Sequence, residues 1–341
     1  MATKHRCRLA AAAAAALAIL GLAALPGAAP AQETPRRHLS IVAPSALFPL
    51  LVAAGERFAL DSSNEMPVVE PLGTETGIAL LCAGEGARHP DIVASVRRLT
   101  RGDLGACAAK GIGISELLVG HQAVALAQNP GPAPLSLTAR QLFLALAREV
   151  PVNGRLVANP YRLWSDIDFA LPVKPIAVLG PPPGSRLHDS FAELVMARSA
   201  AGFPALRGRD AGALRDDGVF VTPGDEDASL DDLRRRADAI AIVGFNRLAR
   251  QGAGLLPVPL DGIAPGPAAI ADGSYPAARP VHLYVKRRHA ETVPGLQAYL
   301  GTLLDAAAGG PEGYLAARGL VPLAPAQAES QRAAARSLSP L

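Results

Sequence analysis

No apolar run in this 341-residue chain reaches the roughly 20 residues that a bilayer span needs. The run from Leu9 to Leu25 comes nearest, and it is rich in alanine. It follows Lys4, Arg6 and Arg8 and leads into Ala29-Pro30-Ala31, so residues 1–31 read as a secretory signal peptide cleaved before Gln32. A membrane anchor is the competing reading, and the shortness of the run argues against it. Cys7 lies ahead of the apolar core, in the basic segment, so it is not a lipid-bearing cysteine.

Charge is scarce as well. Charged residues are 18% of the chain, and the formal +3 is carried by the leader, whose three basic side chains are matched by no acid. The mature chain is therefore close to neutral, which excludes basic attraction to nucleic acid or to a membrane surface. Only three cysteines occur, and Cys82 and Cys107 alone survive cleavage. An even pair in an oxidising compartment predicts one disulfide, closing a loop of about 25 residues and stabilising the fold by about 3 kcal/mol. Two separate buried thiols are the alternative.

Catalytic signatures are missing. There is no Gly-x-Ser-x-Gly elbow and no phosphate-binding Gly-x-x-x-x-Gly-Lys-Ser/Thr loop. The segment at Gly111 lacks the third glycine of a dinucleotide loop. His89, His121, His282 and His289 show no paired zinc spacing, and the acids from Asp225 to Asp232 lack the glycine of a calcium loop. Ser185, His188 and Asp189 have the residue types of a hydrolytic triad, but crowded onto one turn they read as helix-start residues.

What is present is apolar material in short runs, 50% hydrophobic residues in all, enough for one large or two medium domains. Strand-like runs such as His38–Ala43, Pro90–Val96, Glu116–Gln128, Lys174–Gly180, Ala237–Phe245 and Arg279–Arg288 alternate with helical patterns. Helices are predicted over Leu47–Phe58, Leu137–Val150 with Thr138 as cap, and Asp189–Arg198. The stretch after Leu323 reads as a free tail. The alternation predicts an α/β fold with mainly parallel sheets.

Three junctions, Pro44-Ser45, Gly73-Thr74 and Gly184-Ser185, place a hydroxyl where a strand gives way to a helix. Such helix starts offer unpaired N–H groups and partial positive charge to an anion. Ordinary N-capping explains the same residues.

Several long stretches, among them "LLCAGEGARHPDIVASVRRLT", "NPYRLWSDIDFALP", "PIAVLGPPPGSRLHDSFAELVM" and "GPEGYLAARGLVPL", resemble the periplasmic phosphate-binding proteins of ABC transporters, in that family's order. The resemblance covers about His38 to Leu323. It implies a two-lobed periplasmic-binding-protein fold of type II, each lobe a mainly parallel sheet flanked by helices, with a ligand cleft between. It places the first lobe at residues 38–120 and 248–323, the second at 121–247, and a disordered tail at 324–341. It implies capture of inorganic phosphate or a related oxyanion by a periplasmic monomer that delivers it to an inner-membrane ABC permease, with no cofactor and no reaction.

The ligand set implied is Ser45, Ala46, Leu47, Thr74, Glu75, Thr76, Arg97, Gly184, Ser185, Arg186 and His188. Several of these depart from the family pattern. Ala46 removes a hydroxyl, Glu75 adds a negative charge, and Val96 stands where a polar strand end is usual. In the loop after the prolines, Leu187 replaces a threonine and His188 an arginine, leaving Arg186 as the nearby cation. A charge-assisted hydrogen bond contributes about 1.5–3 kcal/mol. These losses open an alternative, the same fold with phosphate binding lost, serving another ligand or acting as a sensor or partner module. A hydrolase built on Ser185 and His188 is the remaining alternative.

Overall fold

The structure, a computed structural model, describes residues 38–131, 133–207 and 213–341. Residues 1–31, read from the sequence as a signal peptide, lie outside the described residues.

Among the described residues, eleven strands are β1 (Ser40–Val42), β2 (Val68–Glu70), β3 (Ile92–Ser95), β4 (Ile114–Gln128), β5 (Glu149–Val152), β6 (Arg155–Ala158), β7 (Val178–Leu179), β8 (Phe220–Val221), β9 (Ile240–Gly244), β10 (Leu256–Pro257) and β11 (Ala278–Lys286). Nine of them form one sheet in the order β2-β1-β3-β11-β4-β9-β7-β8, with β10 on β4, while β5 and β6 make a separate hairpin. At one end β1 pairs in parallel with β2 and β3; at the other β7 pairs in parallel with β8 and β9. All four residues of β3 are buried, as expected of a strand covered on both faces.

Between these parallel halves run two long antiparallel strands. β4 pairs with β11 over Ile114–Ala123 and then with β9 over Val124–Gln128, so one 15-residue strand passes from one half to the other. Each half has its own core. Phe58, Leu283, Tyr299 and Leu300 centre the first; Phe143, Trp164, Phe191 and Ile242 centre the second. Both belong to one compact unit, Arg36–Leu341. Val258, Leu260, Ile270, Tyr275 and Ala277 pack in the second core, which places the chain's return to the first half at β11 rather than near residue 248.

Two further expectations are corrected. The helix predicted to run to Val150 ends at Leu146, because Asn153 (φ 50°) and Gly154 (φ 77°) form the turn of the β5–β6 hairpin. The C-terminal stretch does not hang free: Pro325–Ser337 is a helix lying against the helix Leu296–Leu304 and against β4. Its Gln331 Oε1 accepts from the Leu118 N–H at 2.7 Å, beside the bulge where the β4–β11 register shifts. Farther along, the Ser339 and Leu338 carbonyls accept from Ser115 Oγ (2.7 Å) and Arg287 Nε (2.8 Å). No helix among the described residues is long and apolar enough to cross a membrane.

Candidate functional site

Parallel strands bring their carboxyl ends to a common edge, and ligands of open α/β sheets collect there. In the first half this edge gathers the loops after β1, β2 and β3. The Gly73 N–H donates to the Ala43 carbonyl at 3.0 Å, and Glu75 reaches Arg97. In the second half the loops after β7, β8 and β9 meet, with the Gly244 N–H donating to Glu226 Oε2 at 2.6 Å.

The three hydroxyl junctions behave differently. Only Ser185 is a helix cap: its Oγ accepts from the His188 N–H at 3.2 Å at the start of the helix Arg186–Phe191. That bond uses the His188 backbone. The imidazole instead lies 3.5 Å from Asp189, so the residues do not form a nucleophile–base pair. Thr74 opens the helix Thr74–Leu81, whose preceding Gly73 has φ 88°, and its Oγ1 is buried with no hydrogen-bond partner. Ser45 is exposed, three residues ahead of the helix Phe48–Asp61, and makes no cap; Leu47 is buried in the core. Thr76 is exposed, as is Gly184, which takes φ 81° in the turn before Ser185.

Arg97 is consumed. Its Nε and Nη2 donate to the two oxygens of Glu75 at 2.7 and 2.6 Å, and Nη1 donates to Asp103 Oδ2 at 2.8 Å. The Arg97 hydrogen bond is the main reason that Glu75 ionises below the usual glutamate range, and Glu75 in turn pushes the Arg97 pKa upward. One guanidinium is thus shared by two carboxylates, so the cation expected at Arg97 is consumed and the group keeps one net negative charge. Arg186 stays without an ion pair among the described residues, its Nη1 donating only to the Arg318 carbonyl at 2.9 Å.

A polar relay that the sequence does not disclose links the two halves. Gln122 Nε2 donates to the Ala46 carbonyl (3.2 Å), Arg279 Nε donates to Gln122 Oε1 (3.1 Å), and Arg279 Nη2 reaches Ser190 Oγ (3.4 Å). All three side chains are buried, and Arg279 also pairs with Glu193. Gln122 sits inside an apolar strand run and Arg279 at a strand start, positions where a polar residue is the only available signal. Asn246 adds a second link, its Nδ2 donating to the Ala316 and Leu320 carbonyls at 2.9 and 2.6 Å.

Beside the relay, Arg186, Leu187 and Ser190 face Gly244–Gln251 and Ala316–Gly319 across a cavity of about 260 Å³. Of the predicted ligand residues only Arg186 lines it; the residues from 45 to 97 gather at the edge of the first half. Among the described residues no cluster of three or more His, Cys, Asp or Glu is placed to hold a metal.

Two buried histidines lie next to this edge. His282 pairs across the sheet with Ser95 and Leu118, and His121 with Pro280. Burial lowers the pKa of both; for His282, Glu116 opposes this while Arg98 and His121 reinforce it. Tyr284, whose hydroxyl donates to Glu116 at 2.8 Å, stacks on His282. An unfolded histidine takes up its proton near pH 6.5, above the values these two have when folded, so stability is full above about pH 6.5 and falls as pH drops below it. Each histidine contributes up to about 1.4 kcal/mol per pH unit until its folded value is reached. Thermal melts at pH 7.5 and 5.5 are expected to show this loss, and replacing both with glutamine to reduce it. An unchanged pH profile in the double variant would assign the acid loss to other groups.

A sequence-family profile described as a PBP superfamily domain matches residues 28–305. Protein SphX of Synechococcus elongatus is 26% identical over 274 residues, covering 77% of this chain and 72% of that protein. Among solved structures, a possible phosphate binding protein from Planctomyces limnophilus superposes with a TM-score of 0.72 at 18% identity, covering 89% of this chain and 99% of that one. PstS from Borrelia burgdorferi superposes with a TM-score of 0.59 at 15% identity, covering 85% and 100%. These two likenesses are likenesses of fold.

Proposed function

The chain belongs to the PBP superfamily, and from that membership we propose that it captures phosphate in the periplasm and hands it to an inner-membrane ABC permease, acting as a binding protein and not as an enzyme. The observation that carries this reading is the Ser185-capped helix start, with the Arg186 guanidinium, which has no ion-pair partner among the described residues, beside it at the carboxyl edge of a PBP-type sheet. SphX and solved phosphate-binding proteins of the same fold support it. The two sheet halves serve as the lobes, residues 38–120 with the segment from β11 onward forming one and the intervening chain the other. Phosphate is held in the cavity lined by Arg186, beside the helix start that Ser185 caps. Glu75, Arg97 and Asp103 act as an ion-paired group that stiffens the loop.

Calorimetric titration of orthophosphate into the chain from Gln32 tests this. One phosphate per chain is expected, and Arg186→Ala should weaken it roughly 10- to 100-fold, the equivalent of a lost charge-assisted bond of about 1.5–3 kcal/mol. Glu75→Gln should tighten it, since Arg97 then keeps one carboxylate partner instead of two. Absence of binding by orthophosphate and by every other phosphorus compound named below would overturn the reading.

A further inference from the structure

The cavity beside Arg186 is larger and more varied than a bare phosphate requires. A water occupies about 30 Å³, and orthophosphate is roughly the size of two to three waters. The cavity of about 260 Å³ exceeds that several-fold.

Its walls differ in chemistry. Arg186, Arg250 and Arg318 line it, and none of them has an ion-pair partner among the described residues; Arg186 Nη1 donates to the Arg318 carbonyl and Arg318 Nη1 to the Tyr314 carbonyl, so both are held by neutral acceptors only. Arg247, the fourth, is held by Asp227 at 3.1 Å. Arginine forks suit phosphoryl oxygens, which they bind in pairs. Leu187, Leu194, Val124 and Ala317 form an apolar wall. Orthophosphate has no apolar surface to bury there, whereas a carbon substituent gains about 25 cal/mol per Å².

Glu226 completes the set. It lines the same cavity, with Oε2 accepting from Gly244 and Oε1 free of any hydrogen bond among the described residues. A carboxylate in an anion site repels the anion, unless the ligand also carries a donor for it.

We propose that the ligand of this cleft is an organic phosphate or phosphonate: a phosphoryl group on Arg186, Arg250 and Arg318, with a short carbon substituent against Leu187 and Leu194 and a hydroxyl or ammonium on Glu226. This rests on the phosphate-binding reading and narrows it to a substituted phosphoryl group.

The test titrates orthophosphate, sn-glycerol 3-phosphate, 2-aminoethylphosphonate and succinate into the chain from Gln32. At least one organic phosphorus compound is expected to bind tenfold or more tightly than orthophosphate, the ester and the phosphonate arms showing which linkage is preferred. Glu226→Gln, which keeps the shape and the Gly244 bond, should lower the ratio of organic to orthophosphate affinity about tenfold, and Leu187→Thr should lower it too. Melting curves of both variants verify that they are folded. Orthophosphate binding more tightly than both organic compounds would overturn this inference and leave the phosphate reading standing. Binding of succinate ahead of all phosphorus compounds would overturn the inference, as would an affinity ratio unmoved in folded Glu226→Gln. If no phosphorus compound binds, both readings fall.

Discussion

A chain ending at Ala324 is expected to melt roughly 10–20 °C below the full-length protein, on the scale of about 2–4 °C per kcal/mol for a chain of this size or somewhat smaller. The helix Pro325–Ser337 and the residues after it cover the first core, where Ala335 and Leu338 are buried beside Tyr299 and Leu304. Burying one leucine stabilises by about 1.5–3 kcal/mol, and the surface beneath it adds a similar amount. That sum is a large part of the 5–15 kcal/mol that holds a typical domain folded. Truncation lets water reach the Leu118 N–H, so its loss is chiefly apolar. Gln331→Leu separates the two effects: the cover stays, the acceptor goes, and an unsatisfied N–H costs about 1–3 kcal/mol. Equal melting temperatures for the truncated and full-length chains would show that the helix contributes nothing to stability.

Reduction of the Cys82–Cys107 bridge is expected to lower stability by about 3 kcal/mol, the chain-entropy value for a loop of this length. The bridge joins the C-terminal end of the helix Thr74–Leu81 to the helix Arg101–Ala108, with Cα atoms 4.4 Å apart. It lies in the smallest of the apolar clusters around the first sheet half, with Ile78, Leu81, Val93 and Ile112 as neighbours, where packing has least to offer in compensation. The loop it closes carries Arg97, so reduction should also loosen the Glu75–Arg97–Asp103 group. Urea titrations of the oxidised chain and of the Cys82→Ala/Cys107→Ala variant measure the difference. Coincident midpoints would mean that the bridge leaves the unfolded chain no more restricted than the native contacts do.

The long strands were the most legible part of the sequence. β4 and β11 are rich in apolar and β-branched residues, and most of their buried positions follow from that, although His121, Gln122, Arg279 and His282 interrupt the runs. The hairpin at Asn153-Gly154 had a clear turn signal, but the apolar periodicity of the preceding helix overran it. The tail was misread through its composition. Alanine, glutamine and arginine are strong helix formers, Pro325 stands at the first helical position, and Glu329 pairs with Arg332 one turn on. Weak hydrophobicity obscured a helix that packs with only a few residues. At the site, the Ser185 cap was readable from its position. The pairing of Glu75 with Arg97 was not, because it joins residues 22 apart through the ends of two strands. The Gln122–Arg279 relay joins residues 157 apart, and no local pattern encodes such a contact.

The last residues of the chain are tied down through their main chain. The Leu338 and Ser339 carbonyls and the Leu341 N–H, which donates to Ile114 at 2.9 Å, do the binding, and every residue except proline carries both groups. Side-chain identity at positions 339–341 is therefore nearly free to drift among relatives, while an insertion or deletion after Leu338 would slide every donor past its acceptor. The segment is constrained in spacing and unconstrained in spelling.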